Sequence, residues 1–180
     1  MTDTTGWPPQ AASATAPDRP WIRGDGQAKA TGQARYTADL AFPGLAHARL
    51  LLAGRAHARI VRLDTARARA LPGVLAVLTQ DDVPERRYGS FDYVLDRTLF
   101  ARDVVRFEGE VVAAVAALTP EQAAAAVAAI EVEYEDLPPI LDVEQALASG
   151  SPLVHPGIAD YGHDPNIEPG GNVAGRSTIV

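Results

Sequence analysis

The sequence predicts an α/β domain, with an α+β arrangement as the open alternative. Short apolar runs of strand length alternate along the chain with segments that begin at helix-capping residues, and Pro and Gly separate them. The apolar fraction is 47%, but much of it is Ala, and there are only 4 Phe and 2 Trp. We therefore expect a light, aliphatic core built around strand–helix–strand units.

The first strand–helix–strand unit is predicted between residues 60 and 78, and a further strand precedes it. Asp64 or Thr65 can cap a helix that runs to Leu71, because a side-chain oxygen there accepts the free amides of the first turn. Pro72 and Gly73 end that helix. The strands predicted in this part of the chain are residues 45–53, 60–63 and 74–78.

The second unit is predicted between residues 104 and 135. Thr119 is a good N-cap, Pro120 fits the first helical position, and Gln122 can close a capping box; the helix then runs to about Ile130. A last short helix opens at Asp142, with Gln145 three residues on, and Gly150 closes it. The strands predicted here are residues 104–107, 111–117 and 131–135.

These elements suggest one domain at residues 21–150. Residues 1–20 are rich in Thr, Ala and Pro without periodicity, and are expected to be a disordered leader. Residues 151–180 are expected to be an irregular tail. The predicted core is Val74, Val77, Val105, Val112, Val115, Val127, Ile130 and Val132.

Composition excludes several classes of function. The formal net charge of −7 argues against nucleic-acid binding and against docking on anionic lipid. The absence of Cys removes disulfides, thiolate zinc sites, iron–sulfur ligation and cysteine nucleophiles. No apolar run reaches the roughly 18 residues that suggest a membrane span, and no signal sequence is evident, so a cytoplasmic location is expected.

Several polar patterns invite a functional interpretation, and each has a simpler structural one. Gly24, Gly26 and Gly32 match neither the dinucleotide nor the phosphate-loop spacing, so ordinary turns in a loop region are expected. His47 and His57 are ten residues apart in separate elements, and are expected to be hydrogen-bonded or surface histidines. His155 and His163 lie in a loop with Asp160 and Asp164, a set that could bind a metal loosely, although loops commonly hold such residues by composition alone.

The remaining candidates are charged. Glu131, Glu133 and Glu135 resemble a cation ladder, but like charges along one strand face usually form a solvated surface. Arg86 and Arg87, followed by Tyr88, form either an anion or partner contact or a loop. No Ser lies in a nucleophile elbow. Since nothing assembles a base, a nucleophile and an oxyanion site, we assign no catalytic, cofactor-binding or metal-binding residue to this chain.

Taken in order, seven motifs between about residues 23 and 155 resemble the large subunit of the molybdenum hydroxylases, the family of xanthine dehydrogenase, aldehyde oxidase and CO dehydrogenase. They are Lys29-Ala-Thr-Gly32-Gln-Ala-Arg-Tyr36-Thr-Ala-Asp39; Phe42-Pro-Gly-Leu-Ala-His47-Ala-Arg; Ala56-His57-Ala-Arg59-Ile60 with Asp64; Leu71-Pro72-Gly73-Val74-Leu-Ala-Val77-Leu-Thr79 with Asp82-Val83-Pro84; Val105-Arg106-Phe107-Glu-Gly109-Glu110-Val-Val112-Ala113; Val132-Glu-Tyr134-Glu-Asp-Leu137-Pro138; and Leu153-Val-His155. The chain departs from the family pattern at Gly54-Arg55, where the family has Ser-Pro, and at Val111, where it has Pro.

The resemblance implies an N-terminal α/β hammerhead domain that packs against molybdopterin-binding domains. The family hydroxylates purines, aldehydes or N-heterocycles, or oxidises CO, and passes electrons to iron–sulfur and FAD units on partners. Its catalytic glutamate and pterin-contacting segments lie downstream of this region. The resemblance therefore implies a structural part of an oxidoreductase, a fragment or split subunit, whose tail begins the linker to a molybdopterin-binding domain. The alternative is a stand-alone, non-catalytic binding or assembly module that packs on such a partner.

A partner surface is predicted where scarce aromatic residues gather with weak periodicity. The residues concerned are Phe91, Tyr93, Val94, Leu95, Leu99 and Phe100. An exposed apolar patch of this kind usually marks an interaction site. The alternative is a loop that folds back over its own core.

Overall fold

The computed structural model describes residues 23–89, 95–161 and 170–175. The chain falls into two compact units, Met1–Pro43 and Gly44–Val180. The predicted leader, residues 1–20, lies outside the described residues.

The first unit contains a short helix where the spacing of the glycines predicts a loop. Helix α1 spans Gly26–Ala30, and an ion pair of 2.7 Å between Lys29 and Asp25 links its last turn to its N-cap. A single 3₁₀ turn follows at Thr37–Asp39, where the Asp39 carboxylate accepts a hydrogen bond of 2.9 Å from the amide of Tyr36. The tyrosine and aspartate of the first motif therefore define a turn.

The second unit contains six strands and four short helices among its described residues. They are β1 His47–Leu52, β2 Ala58–Asp64, α2 Ala66–Arg69, β3 Val74–Leu78, β4 Val104–Val105, β5 Val111–Ala117, α3 Pro120–Ala128, β6 Glu131–Asp136, α4 Val143–Leu147 and α5 Ile158–Tyr161. The bounds predicted for β3 and β5 are confirmed, and α3 is the longest described helix, as expected. Strand β4 is shorter than predicted, because the chain turns after Val105 and pairs no further with β2.

The strands form two three-stranded sheets, in the orders β1-β5-β3 and β4-β2-β6, and every described strand pair is antiparallel. Each strand–helix–strand unit crosses between the sheets: β2-α2-β3 runs from the second sheet to the first, and β5-α3-β6 runs back. The predicted mixture of helices and strands is confirmed. The antiparallel pairing corresponds to the α+β alternative.

The core consists of small aliphatic side chains, as the composition predicts. Its largest fully buried side chains are four valines, Val77, Val105, Val112 and Val115. One cluster lies beneath α3 and contains Ala68, Val77, Ala113, Val115, Ala126 and Ile130. A second cluster contains Ala53, Ala58, Ala101, Val105 and Val112. Five of the eight predicted core residues are buried, while Val74, Val127 and Val132 are partly buried against these clusters.

The helix caps follow the sequence with one correction. Thr119 accepts a hydrogen bond of 3.2 Å from the Gln122 amide, and Asp142 accepts one of 2.6 Å from the Gln145 amide. The capping box predicted for Gln122 does not form. The Gln122 side chain instead lies over the turn before β3, where a Cβ added to Gly73 would come within 2.3 Å of its carboxamide. Thr65 is the N-cap residue of α2, but its side chain makes no capping bond. The Asp64 carboxylate instead accepts a bond of 2.9 Å from the Ala66 amide.

Two turn glycines allow a graded stability test. Gly73 and Gly109 both have a left-handed backbone, with φ of +82° and +92°, but only Gly73 has a close neighbour within 4 Å of an added Cβ. We expect Gly109→Ala to lower the free energy of unfolding by about 1–2 kcal/mol, the usual cost of an L-residue in this conformation. Gly73→Ala should cost more because Gln122 must also move, and urea denaturation measures both losses.

The control is Gln122→Ala, which removes the obstructing carboxamide. In that background the costs of the two glycine substitutions should converge, and the double-mutant cycle isolates the steric contribution. A larger loss for Gly109→Ala than for Gly73→Ala would contradict this assignment.

Candidate functional site

A cavity of about 460 Å³ lies in the second unit beside the β4–β5 turn. The turn forms one side, and the residues before β4 and the segment before α5 form the others. Its lining residues are Tyr88, Asp96, Arg97, Thr98, Leu99, Arg106, Phe107, Gly109, Glu110, Val111, Val154 and His155. Charged and titratable groups therefore meet an apolar lining, which is an arrangement common to ligand sites.

Glu110 and Arg106 hold the β4–β5 turn closed. A Glu110 carboxylate oxygen accepts a hydrogen bond of 2.6 Å from the Arg106 amide. Burial raises the pKa of Glu110, and the bond from Arg106 partly offsets this shift. The Arg106 guanidinium donates to two backbone carbonyls, Val154 at 3.1 Å and Val104 at 3.2 Å. Both side chains are thus engaged by the protein's own backbone.

His155, which lines the cavity, contacts Tyr161. The His155 Nδ1 lies 2.9 Å from the Tyr161 hydroxyl, and the Arg87 guanidinium lies 4.0 Å from the centre of the Tyr161 ring, in cation–π range. Burial lowers the pKa of His155, and the positive charge of Arg106 adds to that shift. Arg87, one of the candidate anion-binding residues, therefore has a partner within the chain.

Residues beyond the predicted domain end at 150 are fastened to it. The Asn172 side chain accepts a hydrogen bond of 2.9 Å from the Val154 amide and donates to the carbonyls of Ala146 and Pro152, at 3.2 and 2.9 Å. With the Arg106–Val154 bond, these contacts join the described part of the tail to α4 and to the β4–β5 turn. These bonds hold Val154, which lines the cavity, next to the β4–β5 turn.

The structure describes only some of the sequence candidates for metal binding. The His57 ring lies 2.8 Å from the Pro138 carbonyl, as expected of a hydrogen-bonded histidine. His163 and Asp164 lie outside the described residues. Within residues 23–89, 95–161 and 170–175, no three His, Asp or Glu side chains approach one another closely enough to hold a metal ion.

The three strand carboxylates face arginines. Glu135 pairs with Arg59 at 3.0 Å and Glu131 with Arg67 at 2.9 Å, while Glu133 stands opposite Arg62 in the β2–β6 register. These pairs are exposed, so each contributes little to stability. They make the outer face of the β4-β2-β6 sheet a solvated surface of mixed charge.

The apolar stretch proposed as a partner surface is mixed in character. Phe91, Tyr93 and Val94 lie outside the described residues. Of the remainder, Leu95 is half-buried, Leu99 is exposed, and Phe100 is buried. Phe100 thus follows the alternative in which the stretch contributes to its own core.

The sequence does not predict that these side chains lie near one another, because Arg106 and Glu110 are far along the chain from His155 and Tyr161. About 50 residues separate the pairs, and the backbone acceptors that hold Arg106 carry no sequence signal. The spacing of Glu110 four residues after Arg106 was visible only as part of a motif.

Comparison with known proteins identifies the class. Residues 31–138 match the family model described as aldehyde oxidase and xanthine dehydrogenase, a/b hammerhead domain. This chain belongs to that family, as its motifs indicated.

Its relatives include a probable xanthine dehydrogenase subunit of Bacillus subtilis, 39% identical over 74% of this chain and 18% of that protein. The nicotinate dehydrogenase large molybdopterin subunit of Eubacterium barkeri is 38% identical over 74% of this chain and 31% of its own length. The chain therefore spans less than a third of the length of these relatives.

Solved structures show the same fold. Quinoline 2-oxidoreductase from Pseudomonas putida 86 aligns with a TM-score of 0.63 at 41% identity, covering 70% of this chain and 17% of that one. CO dehydrogenase from Oligotropha carboxidovorans aligns with a TM-score of 0.68 at 32% identity, covering 73% and 16%. Among the residues that the structure describes, no helix has both the length and the apolar character needed to cross a membrane.

The half-buried His155 predicts a pH dependence of stability. Because the pKa of His155 is lower in the folded chain than its ordinary value, the unfolded chain takes up the proton first as pH falls. The contribution of neutral His155 is complete above about pH 6.5 and is lost below it. We expect the free energy of unfolding of wild type to fall more steeply than that of His155→Gln between about pH 7.5 and pH 5, measured by urea denaturation. Equal slopes for the two proteins would show that His155 is not the responsible group.

Proposed function

We propose that this chain serves as the structural hammerhead domain of a molybdopterin-dependent oxidoreductase and carries no complete active site. The oxidoreductase would hydroxylate purines, aldehydes or N-heterocycles, or oxidise CO. Support comes from the family match and from relatives named for xanthine dehydrogenase, nicotinate dehydrogenase and CO dehydrogenase. All of these are much longer than the matched region.

The main support for the proposal is that three carboxylates of the motifs accept hydrogen bonds from nearby backbone amides. Asp39 accepts from the Tyr36 amide, Asp82 from the Thr79 amide at 2.8 Å, and Glu110 from the Arg106 amide. Each carboxylate accepts from an amide three or four residues earlier in the chain and so closes a local turn. A side-chain oxygen that accepts from a nearby backbone amide is the arrangement of a structural turn. The acidic residues that mark the family in this chain therefore stabilise the backbone.

The contacts of two arginines support placing a molybdenum–molybdopterin group outside this chain. Arg106, which lines the cavity, donates to two backbone carbonyls, and Arg87 makes a cation–π contact with Tyr161. We therefore assign the molybdenum cofactor to a molybdopterin-binding domain or subunit against which this domain packs. Iron–sulfur and FAD groups belong to further partners on this proposal.

Metal analysis tests the absence of an autonomous site. We expect the purified chain, expressed in a host that makes molybdopterin, to contain no molybdenum by inductively coupled plasma mass spectrometry. It should not oxidise hypoxanthine, benzaldehyde or nicotinate with a dye as electron acceptor. Stoichiometric molybdenum together with turnover would overturn the proposal.

A further inference from the structure

The outer face of the β1-β5-β3 sheet consists of apolar side chains in the register that the pairing defines. One row across the three strands is Leu50, Ala114 and Leu78, and the next is Ala48, Ala116 and Ala76. Side chains alternate between the faces of a strand. Since Ala113, Val115 and Ala117 are buried in the core, Ala114 and Ala116 point away from it.

The two leucines of this face are exposed. Leu50 is 49% exposed and Leu78 is 43% exposed, on either side of the small Ala114. The two leucines flank a shallow floor of alanines, which lets another backbone approach closely. The face is roughly 10 Å wide across three strands.

The second sheet of the same unit shows what a solvated outer face looks like in this protein. Its outer rows carry Arg59 with Glu135 and Arg62 opposite Glu133. Antiparallel sheets that face water on one side normally alternate apolar and polar residues in this way. The β1-β5-β3 sheet has apolar residues on both faces, which is the pattern of a sheet covered on both sides.

We infer that this outer face, centred on Leu50, Ala114 and Leu78, is the docking surface for the remainder of the large subunit of a molybdenum hydroxylase. The inference rests on the proposed function and locates its partner contact. The occupant follows from the relatives, in which the matched region is only 18–31% of a longer chain. A domain embedded in so long a chain must adjoin the rest of it. The charged outer face of the other sheet would need desolvation on contact, whereas this face needs little.

The test uses the full 180-residue chain with an affinity tag. It is co-expressed with the B. subtilis xanthine dehydrogenase relative from which the matched segment has been deleted. The excised segment of that relative, co-expressed in the same way, sets the full yield of co-purified protein. The test variant is Leu50→Lys/Leu78→Lys.

The matched control is Val61→Lys/Leu141→Lys, which adds the same charge at apolar side chains that are 54% and 75% exposed elsewhere. We expect wild type and this control to co-purify the truncated relative, and the test variant to reduce the yield at least about tenfold because it buries two ammonium groups. Circular dichroism and thermal melting verify folding. If the lysine variant unfolds, Leu50→Gln/Leu78→Gln replaces it.

The outcomes separate the two claims. If wild type co-purifies the truncated relative and the variant does so equally well, the docking face is wrong while the proposed function stands. If wild type does not co-purify it, the proposed function fails and the inference fails with it. If sedimentation velocity shows that wild type alone is a dimer and that the leucine variant is a monomer, the face binds a second copy of this chain, and the inference is overturned.

Discussion

The close approach of α3 to the β1-β5-β3 sheet is the contact on which the rest of the domain depends. Ala126 of α3 and Ile130, two residues after the helix, pack in one cluster with Ala113, Val115 and Val77. Alanine lets a helix lie near a sheet, but such a core has few bulky residues to compensate for a misplaced element. Strand β5 also contributes Val112 to the second core cluster. Since β5 and α3 belong to one strand–helix–strand unit that ends in the other sheet, this packing also fixes how the two sheets meet.

Around this light core, polar side chains serve mainly to stop and turn the backbone. Thr79 and Asp82 are an example. The Asp82 carboxylate accepts hydrogen bonds from both the amide and the hydroxyl of Thr79, and the Thr79 hydroxyl accepts one from the Asp81 amide. These bonds lower the pKa of Asp82. The cavity beside the β4–β5 turn is built in the same way, with Glu110 and Arg106 committed to backbone partners. These motif side chains therefore have structural partners within the chain, and we place the contact with another molecule on an uncharged sheet face.

The sequence predicted local structure well and long-range pairing poorly. Some elements depend only on neighbouring residues, so composition and spacing were sufficient to predict them. They are strand β3, the start of α3 at Thr119 and Pro120, and the Asp142 cap of α4. The antiparallel, two-sheet pairing depends on which strands meet across the chain, which periodicity does not encode. The Gln122 side chain lies over the turn at Gly73, about 50 residues earlier, instead of completing the capping box of α3. The cavity could not be predicted from the sequence for the same reason, because only the fold brings His155 and Arg106 to the same cavity.

Native-state hydrogen exchange of single amides tests most directly whether the motif carboxylates accept hydrogen bonds from the backbone. In wild type the Thr79 amide, which donates to Asp82, should be protected. In Asp82→Ala its exchange should accelerate at least about tenfold under conditions where exchange is local, while Asp82→Asn, which keeps an acceptor oxygen, should restore most of the protection. Unchanged exchange at Thr79 in Asp82→Ala would contradict the account, because the carboxylate would then be free for another role.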